Sequence, residues 1–578
     1  MVTRPAVGTG DVRRGLPWLA AILVGLVALG LSVWRVMPGL GFWDTAEFQM
    51  VPPVMGTAHP TGYPTYVLLG WLASIVLAPL GEAAFRMNVL SAVLVGVGSG
   101  FTADLARRLS GSIPLGIMAG IGTALTPIVW AIGTHADPHA LHFAFVAIIL
   151  WLLVRWEHAR RGDPLAEDED DGAGAGADDG AGGPRTVVGR ERGAAAPRAA
   201  GRHADRLLVA AAVVVGLAVG NHSLILLFGP PILLFVLAVE PGIARRPRLV
   251  AASIAAFAIP TVLVRFEMIL RAGWFRAPFV YADPSTWSGF WYVTLGEQFH
   301  GWLTSPLANG PKRIADLLAI AAGQFGPLAV VIVAALVVTI VRQPRYALLS
   351  GSALALTCFF NSVYPDGAID RYYIGPALIV WTWLAILGRT IVDIAAPQPE
   401  HDDDRTGRPR GSDDPAVAGR RPVAPGWRAA ARPLGLLAAA LLLLAPSLLA
   451  LPARAGSQAV NQSTNDVAIR WTDEVLSALE PNAVVISWWS YSTPLWYATI
   501  VDHRRPDILI IDDRDRVNQN LGEIDQVIDL YIATRPVYLI RNGTFEFGRL
   551  VGRYNVDSIG APLATNVLRV IPVAAASR

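Results

Sequence analysis

Two acidic residues stand at the start of the first long polar segment of the chain. Asp44 and Glu47 are three positions apart, so a helix would bring both carboxylates to one face. One carboxylate could then take a proton from an acceptor hydroxyl while the other orients it. The same spacing is typical of a helix start in which Asp44 caps the first turn and Glu47 completes a capping box. The spacing alone leaves both interpretations open.

A stiff motif, His-Pro-Thr-Gly-Tyr-Pro at residues 59–64, follows this pair. Its two prolines fix the backbone and its glycine permits a tight turn, so His59 and Tyr63 should be held in fixed positions. This motif favours a functional site over a simple helix cap. We predict that the first outer loop, residues 38–64, carries the chemistry.

Other ionisable residues lie near the predicted ends of apolar segments. Arg371 and His222 are candidates to stabilise a negative charge on a bound group, with Arg265 and Arg271 as weaker candidates. The alternatives are that Arg371 extends its charge to the membrane surface and that His222 caps a span. A cluster of His135, Asp137, His139 and His142 could bind a divalent metal, but its spacing matches no recognised zinc pattern. We therefore expect no metal site, although metal dependence stays open.

The last part of the chain holds two further motifs. Ile-Ile-Asp-Asp-Arg-Asp at 510–515 is comparable to the Asp-x-Asp motif of nucleotide-sugar transferases, but acids often follow a buried strand, and an outer domain would meet no nucleotide sugar. The aromatic stretch 488–497 could stack on a sugar or a polypeptide, or pack at the membrane edge.

The composition shows which elements must position these residues. Of 578 residues, 53% are hydrophobic and only 16% are charged, which indicates a membrane protein. The basic residues are almost all arginine and cluster between apolar segments, so a nucleic-acid partner is not expected. A single cysteine, Cys358, excludes an intramolecular disulfide and any cysteine-rich metal site.

A bilayer core needs about 20 apolar residues per helix, and about eleven segments qualify. The predicted spans are 17–36, 87–106, 112–132, 139–155, 206–220, 223–239, 248–264, 324–341, 346–363, 373–390 and 433–451. We expect a polytopic α-helical membrane protein with a small carboxyl-terminal extracytoplasmic α/β domain.

The orientation depends on one short apolar segment, residues 65–77. If this segment does not span, the arginine-rich loops fall on the same side as Arg13 and Arg14. We therefore predict an interfacial or re-entrant helix on the outer face, a cytoplasmic amino terminus and an extracytoplasmic carboxyl-terminal domain. The protein is expected in the plasma (inner) membrane.

The chain should divide into four parts. Residues 1–391 form the transmembrane catalytic domain, with a disordered inner linker at 157–205; 392–432 is a second disordered linker; 433–451 is the last span; and 452–578 is an extracytoplasmic α/β domain with strands near 483–486, 508–511 and 537–540. Both linkers are charged and poor in apolar residues, so they cannot offset chain entropy by burial.

The predicted spans hold almost no ionisable residue near a bilayer midplane, where ion-coupled transporters bind their ion. The polar groups gather at the outer ends of spans, which favours a reaction at the interface with a membrane lipid as substrate.

Several motifs together resemble the membrane glycosyltransferases of the GT-C superfamily. The resemblance is to the bacterial relatives of the animal transmembrane O-mannosyltransferase that acts on receptor IPT domains. It extends over roughly residues 38–390 and rests on the following motifs: Asp44-x-x-Glu47, Ala58 to Pro64, Arg86-Met-Asn88, Gly216 to His222 with Asn221, Asp283 to Trp287, Phe290-Trp-Tyr292 and Asp370 to Tyr373.

The resemblance implies inverting transfer of a sugar, with mannose favoured, from a polyprenyl-phosphate donor to a hydroxyl of an extracytoplasmic protein or glycan. Asp44 would be the general base and Glu47 its partner. The substrate-binding residues would be His59, Tyr63, Asp137, His139, Asn221, His222 and Arg371. One departure is that Asp137 stands where the family is expected to have glutamate. The rival interpretations are a lipid or glycolipid transporter without catalysis, and a non-catalytic assembly protein.

Overall fold

The computed structural model describes residues 9–162, 195–304, 309–364, 369–396, 426–542 and 547–573. Within these ranges eight helices are long and apolar enough to cross a membrane, and three shorter apolar helices accompany them. The chain is therefore a multi-span membrane protein. The helices up to residue 456 are α1 (Thr9–Trp34), α2 (Trp43–Met50), α3 (Pro64–Val76), α4 (Ala83–Ser110), α5 (Ile113–Ala124), α6 (Pro127–Ile132), α7 (Pro138–Arg161), α8 (Ala195–Val219), α9 (Gly229–Val239), α10 (Pro247–Ile269), α11 (Trp287–Leu295), α12 (Gly310–Phe325), α13 (Ile332–Arg342), α14 (Pro344–Val363), α15 (Ile374–Ala395), α16 (Gly426–Leu449) and α17 (Leu451–Gly456).

One predicted span is broken in the structure. The segment 112–132 consists of α5 and α6, which are separated at Leu125 and Thr126. Pro127 opens α6, and a proline disfavours helical backbone at the residue before it, so the helix cannot run through Thr126. The break turns α6 toward the outer ends of its neighbours, where Ile128 and Ile132 reach the cavity described below.

Helices α4 and α7 form the centre of the bundle, whereas α1 and α16 lie at its periphery. In the most apolar stretch of each helix, 78% of the residues of α4 and 89% of those of α7 are buried, compared with 22% for α1 and 11% for α16. Small residues let α1 and α4 pack backbone to backbone. A Cβ on Gly96 would lie 2.8 Å from the carbonyl oxygen of Gly25, and one on Gly100 would lie 2.9 Å from that of Ala21.

The last part of the chain folds as a five-stranded sheet with flanking helices, which we call the sheet domain (residues 467–573). Its strand order is β2-β1-β3-β5-β4, in which β1 is parallel to β2 and β3, and β5 is antiparallel to β3 and β4. Its elements are α18 (Val467–Ala478), β1 (Val484–Ser487), α19 (Trp489–Trp496), β2 (Leu509–Asp512), α20 (Asp513–Asn518), α21 (Ile524–Tyr531), β3 (Val537–Ile540), β4 (Tyr554–Ser558) and β5 (Val567–Pro572). The expected small α/β domain is present, with two more strands than predicted.

The sheet domain lies against the first loop and the start of α4. The hydroxyl of Tyr497 accepts a hydrogen bond from the backbone N–H of Ala84, 3.0 Å away. Arg86 in turn donates to the carbonyl oxygen of Ser74, 2.9 Å away, so the end of α3 is on the same side. The carboxyl end of helix α3 therefore lies near the start of α4, and the interfacial placement of this helix stays a prediction.

The predicted disordered linkers are shorter than expected. Helix α7 continues to Arg161 and α8 begins at Ala195, so residues 157–161 and 195–205 are helical, as are 392–395 and 426–432. Ion pairs hold these flanks to neighbouring helices: Arg160 with Glu240 at 2.5 Å and Arg432 with Asp393 at 2.7 Å. The remaining linker predictions, at 163–194 and 397–425, lie outside the described residues.

Candidate active site

Helix α2 presents Asp44 to the rest of the molecule rather than to its own backbone. The N-cap of α2 is Phe42, and no side chain caps its first turn. The Asp44 carboxylate instead accepts the indole N–H of Trp489 on Oδ1 at 3.0 Å and faces the Arg371 guanidinium through Oδ2 at 3.1 Å. The capping-box interpretation is therefore wrong, and Asp44 joins three distant parts of the chain.

Glu47 lies fully buried behind His59. Its Oε1 accepts the backbone N–H of His59 at 2.7 Å, and its Oε2 pairs with Nδ1 of the same imidazole. Gly62, at φ +80°, allows the turn in which its N–H donates to the His59 carbonyl oxygen at 2.7 Å. The turn brings the Tyr63 hydroxyl to 3.4 Å from Nε2 of His59. The motif thus holds His59 and Tyr63 in place, as its prolines and glycine predict.

Asp137 caps the amino terminus of α7 and supplies a second carboxylate. Its Oδ1 accepts the backbone N–H of His139 at 2.8 Å and lies 2.7 Å from Nδ1 of that ring. Its Oδ2 is 3.6 Å from Nη1 of Arg371. Arg371, in a 3-10 helix that precedes α15, therefore bridges Asp44 and Asp137.

Aromatic rings surround His222, between α8 and α9. Its ring centroid is 4.7 Å from that of His139, 5.4 Å from Tyr372 and 5.6 Å from Tyr63. Nδ1 of His222 accepts the backbone N–H of Leu224 at 3.0 Å. A neutral ring must then carry its proton on Nε2, which leaves that nitrogen as a hydrogen-bond donor.

These side chains meet at a cavity of about 1110 Å³ between the helices and the sheet domain. Seven of the predicted site residues line it: Asp44, His59, Tyr63, Asp137, His139, His222 and Arg371. The opposite walls are apolar and include Ile128, Ile132, Leu224, Leu226, Leu295, Phe299, Leu303 and Phe360. Some of these also face outward, since Leu226 is 54% and Leu295 58% exposed. The cavity therefore joins a charged wall to an apolar wall whose edge is exposed at the surface of the protein.

The charges of the site keep its acids ionised. Burial raises the pKa of Asp44, but the neighbouring His59 and Arg371 outweigh burial and hold that pKa below its ordinary value. Burial lowers the pKa of His59, but the carboxylates of Glu47 and Asp44 outweigh it and hold the pKa above its ordinary value. Burial and the nearby His139 hold the pKa of His222 well below its ordinary value, so this ring is neutral.

Several predicted residues lie away from the cavity wall. Glu47 reaches it only through His59, and the Asn221 amide donates to the carbonyl oxygen of Pro138 at 3.0 Å, so Asn221 supports the chain rather than a substrate. Arg265 donates to backbone carbonyl oxygens of Thr61 and Val219, because its buried guanidinium needs acceptors there. Arg271 forms an ion pair with Glu267.

The histidines and the aspartate at residues 135–142, which could in principle have bound a metal, do not assemble as a group of ligands. His139 is bonded to Asp137, and His142 is not among the cavity residues. Among the described residues, the group that could hold an ion is Asp44, Glu47 and His59, whose ligand atoms lie within 4.8 Å of one another. Arg371 and the His59 ring already neutralise these carboxylates.

The sequence did not identify two residues of the sheet domain that line the cavity, Trp489 and Arg514. Trp489 donates to Asp44, and the Arg514 guanidinium lies 5.1 Å from the centroid of the Trp489 indole. Trp489 belongs to the aromatic stretch 488–497, and Arg514 belongs to the Asp-rich motif 510–515. Neither motif by itself predicts a contact with the first loop.

The chain has the fold of the GT-C glycosyltransferases. It is similar to the crystal structure of ArnT from Cupriavidus metallidurans in the apo state, with a TM-score of 0.54, 15% identity and coverage of 96% of this chain and 98% of that one. The same enzyme bound to undecaprenyl phosphate gives a TM-score of 0.52 at 15% identity, covering 98% and 99% of the two chains.

Residues 44–241 match the family model of the Protein O-mannosyl-transferase TMEM260 N-terminal domain. Mouse Protein O-mannosyl-transferase TMEM260 is 33% identical over 163 residues, which are 27% of this chain and 22% of the mouse protein. The Dictyostelium discoideum protein is 23% identical over 124 residues, 21% of this chain and 15% of that protein. The matches thus span less than a quarter of either relative.

Proposed function

We propose that this protein is an inverting glycosyltransferase that moves a sugar, with mannose favoured, from a polyprenyl phosphate to an acceptor hydroxyl. The observation that carries the proposal is the pair of Asp44 and Arg371 on the wall of a cavity that also has an apolar wall with exposed leucines. A proton acceptor and a cation for a phosphate thus face a space suited to a prenyl chain.

Asp44 is the general base of the proposed reaction. An alcohol is a weak nucleophile at neutral pH, so its proton must leave as the new bond forms. The acceptor oxygen bonds to the anomeric carbon, its proton passes to the Asp44 carboxylate, and the bond from that carbon to the phosphate oxygen breaks. The lowered pKa of Asp44 keeps the carboxylate ionised and ready to accept the proton. A single displacement of this kind inverts the anomeric centre.

The leaving phosphate takes the electron pair of the broken bond and gains negative charge. Arg371 can donate to its oxygens, and the Nε2–H of neutral His222 provides a second donor from the α8–α9 segment. Glu47 and His59 act as positioning residues, because their ion pair fixes the loop that carries Asp44 and adds no net charge.

The donor chemistry agrees with the comparisons, since one structural neighbour was crystallised with undecaprenyl phosphate and the family match concerns O-mannosyl transfer. The proposed acceptor is a protein or a glycan outside the plasma membrane. It would enter from the side of Trp43, which is 52% exposed at the rim of the cavity.

The test uses the purified full chain in nanodiscs with polyprenyl-phosphate mannose labelled in the sugar and a panel of hydroxyl-bearing peptides and glycans. We expect Asp44→Asn to lower the transfer rate by about 100-fold or more, as for the loss of a general base, while the lipid still binds. The matched control is Asp466→Asn, an exposed aspartate outside the cavity that pairs with Arg470.

Wild-type transfer by Asp44→Asn would contradict the assignment of the base. A wild-type protein that moves the lipid across the bilayer without releasing its sugar would instead support the transporter interpretation.

A further inference from the structure

The sheet domain contributes a cation to the cavity. Arg514 follows β2 and lines the cavity together with Trp489, whose indole separates it from Asp44. The Arg514 guanidinium lies over the face of this indole, with its carbon 5.1 Å from the ring centroid. This stacking holds the charge in place without neutralising it.

The surroundings of Arg514 differ from those of Arg371. Arg371 lies between two carboxylates, Asp44 at 3.1 Å and Asp137 at 3.6 Å. No carboxylate of the described ranges forms an ion pair with Arg514. The nearby Asp512 is already engaged, because it accepts the Ser492 hydroxyl at 2.6 Å and the backbone N–H of Arg514 at 2.9 Å. Within the described ranges, Arg514 is thus a cavity cation that forms no ion pair.

A second cation beside Arg371 would balance the charges of the cavity residues. Asp44 and Asp137 together carry one more negative charge than Arg371 can neutralise, and the pKa of each carboxyl lies below its ordinary value, so both are ionised. A phosphodiester brought beside Arg371 alone would face a net negative site. A second guanidinium removes this repulsion and can donate two parallel hydrogen bonds to phosphate oxygens.

The place of Arg514 also suits a lipid phosphate rather than a free one. Tyr281 packs edge-on against Trp489, with ring centroids 5.8 Å apart, and donates to Gln298 at 2.8 Å, in the segment that supplies Leu295 and Phe299 to the apolar wall. A prenyl chain along that wall would bring its phosphate toward the Arg514 guanidinium.

We infer that Arg514 binds the phosphate of the polyprenyl donor, an inference that rests on the proposed function. The sheet domain would then contribute a donor-binding residue. The probe is undecaprenyl phosphate, with undecaprenol as the uncharged counterpart, titrated against the full chain in phosphatidylcholine nanodiscs. We expect Arg514→Gln to weaken undecaprenyl phosphate binding by about tenfold or more, as for a lost hydrogen bond to a charged group. Undecaprenol binding should not change.

Two further variants separate this role from a structural one. Arg514→Lys keeps the charge but not the planar fork, so it should restore part of the affinity. Arg549→Gln removes an exposed arginine of the same domain outside the cavity and should bind as the wild type does. In transfer assays Arg514→Gln should raise the KM for the donor and leave that for the acceptor unchanged.

The outcomes distinguish the inference from the proposed function. Suppose that the wild type prefers undecaprenyl phosphate to undecaprenol and that Arg514→Gln binds undecaprenyl phosphate as tightly as the wild type does. The role of Arg514 is then wrong, and the lipid-donor proposal stands. A wild type without that preference overturns both. A change confined to the acceptor KM would assign Arg514 to the acceptor and overturn the inference, as would displacement of the lipid by equimolar inorganic phosphate.

Discussion

At the scale of single residues, Asp44 owes its chemistry to groups far from it in sequence. The first loop sets its position, but the Arg371 guanidinium and the Trp489 indole hold its charged form. A hydrogen bond to a carboxylate lowers its pKa by stabilising the ionised state. Each donor therefore tunes the strength of the proposed base.

Trp489→Phe removes one of these donors and keeps most of the ring volume. Since the indole helps to lower the pKa of Asp44, its loss should raise that pKa. The proposed base is active when ionised, so the acid limb of kcat/KM against pH should move to higher pH, with a smaller loss of rate than for Asp44→Asn. The measurement is the pH profile of sugar transfer.

The control for this profile is Trp496→Phe, which changes an indole of the same helix that does not line the cavity. An acid limb that stays in place in Trp489→Phe would show that the indole does not tune Asp44.

The residues that sequence analysis could identify are those whose partners are close in the chain. Asp44, Glu47, His59 and Tyr63 lie within twenty residues, so their spacing and the stiff motif predict a shared site. Trp489 is 445 residues from the carboxylate to which it donates. Local patterns contain no information on such a contact, because only the packing of the sheet domain on the first loop creates it.

At the scale of elements, the contact of α1 with α4 depends on the absence of side chains. A Cβ on Gly96 would meet the Gly25 carbonyl oxygen at 2.8 Å, and neither backbone can move easily, because α4 is also packed against α5 and α7. Helix α4 carries Asn88, whose Oδ1 accepts a hydrogen bond from the Gln49 amide of α2 at 2.8 Å. The packing of α4 therefore also positions α2.

Gly96→Val should therefore destabilise the protein. Overpacking of this kind costs about 1–3 kcal/mol, so we expect a lower midpoint of thermal unfolding in detergent. The matched control is Gly30→Val in α1, where an added Cβ meets nothing within 4 Å. Equal midpoints for the two variants would contradict the close packing.

Element prediction succeeded where one pattern dominated. Long apolar segments predicted the eight helices that could span a membrane in the described residues, and continuous apolar strands predicted β1, β2 and β3. Three of the eleven predicted spans, 112–132, 206–220 and 223–239, are not among those eight helices. Strands β4 and β5 were missed because both are partly exposed, and their residues show neither a continuous apolar stretch nor a clear alternation. The broken span at Pro127 could have been predicted from the proline itself.

At the scale of the whole molecule, the first loop, the start of α4 and the sheet domain lie on one side of the bundle. The opposite side carries Arg107, Arg108 and Arg389, whose guanidinium donates to the carbonyl oxygen of Ser110 at 3.1 Å. Because arginine-rich loops favour the cytoplasm, we propose that the sheet domain and the cavity face outward.

Labelling of intact cells with a membrane-impermeant maleimide checks this orientation in a Cys358→Ser background. Ser477→Cys places a thiol at an exposed position of the sheet domain, and Arg161→Cys places one at the exposed end of α7. We expect the first to react in intact cells and the second only after permeabilisation. The reverse pattern would place the site in the cytoplasm.

The hydrogen bond between Trp489 and Asp44 also bears on how the protein is made. Ribosomal synthesis completes the eight candidate membrane helices of the described residues before residue 489 emerges, so a nascent chain inserted up to that point still lacks one wall of the proposed catalytic centre. Under the proposed function, catalytic competence is consequently a late event in biogenesis, which waits for the sheet domain to fold. A premature stop after the last helix would leave an inserted but inert protein.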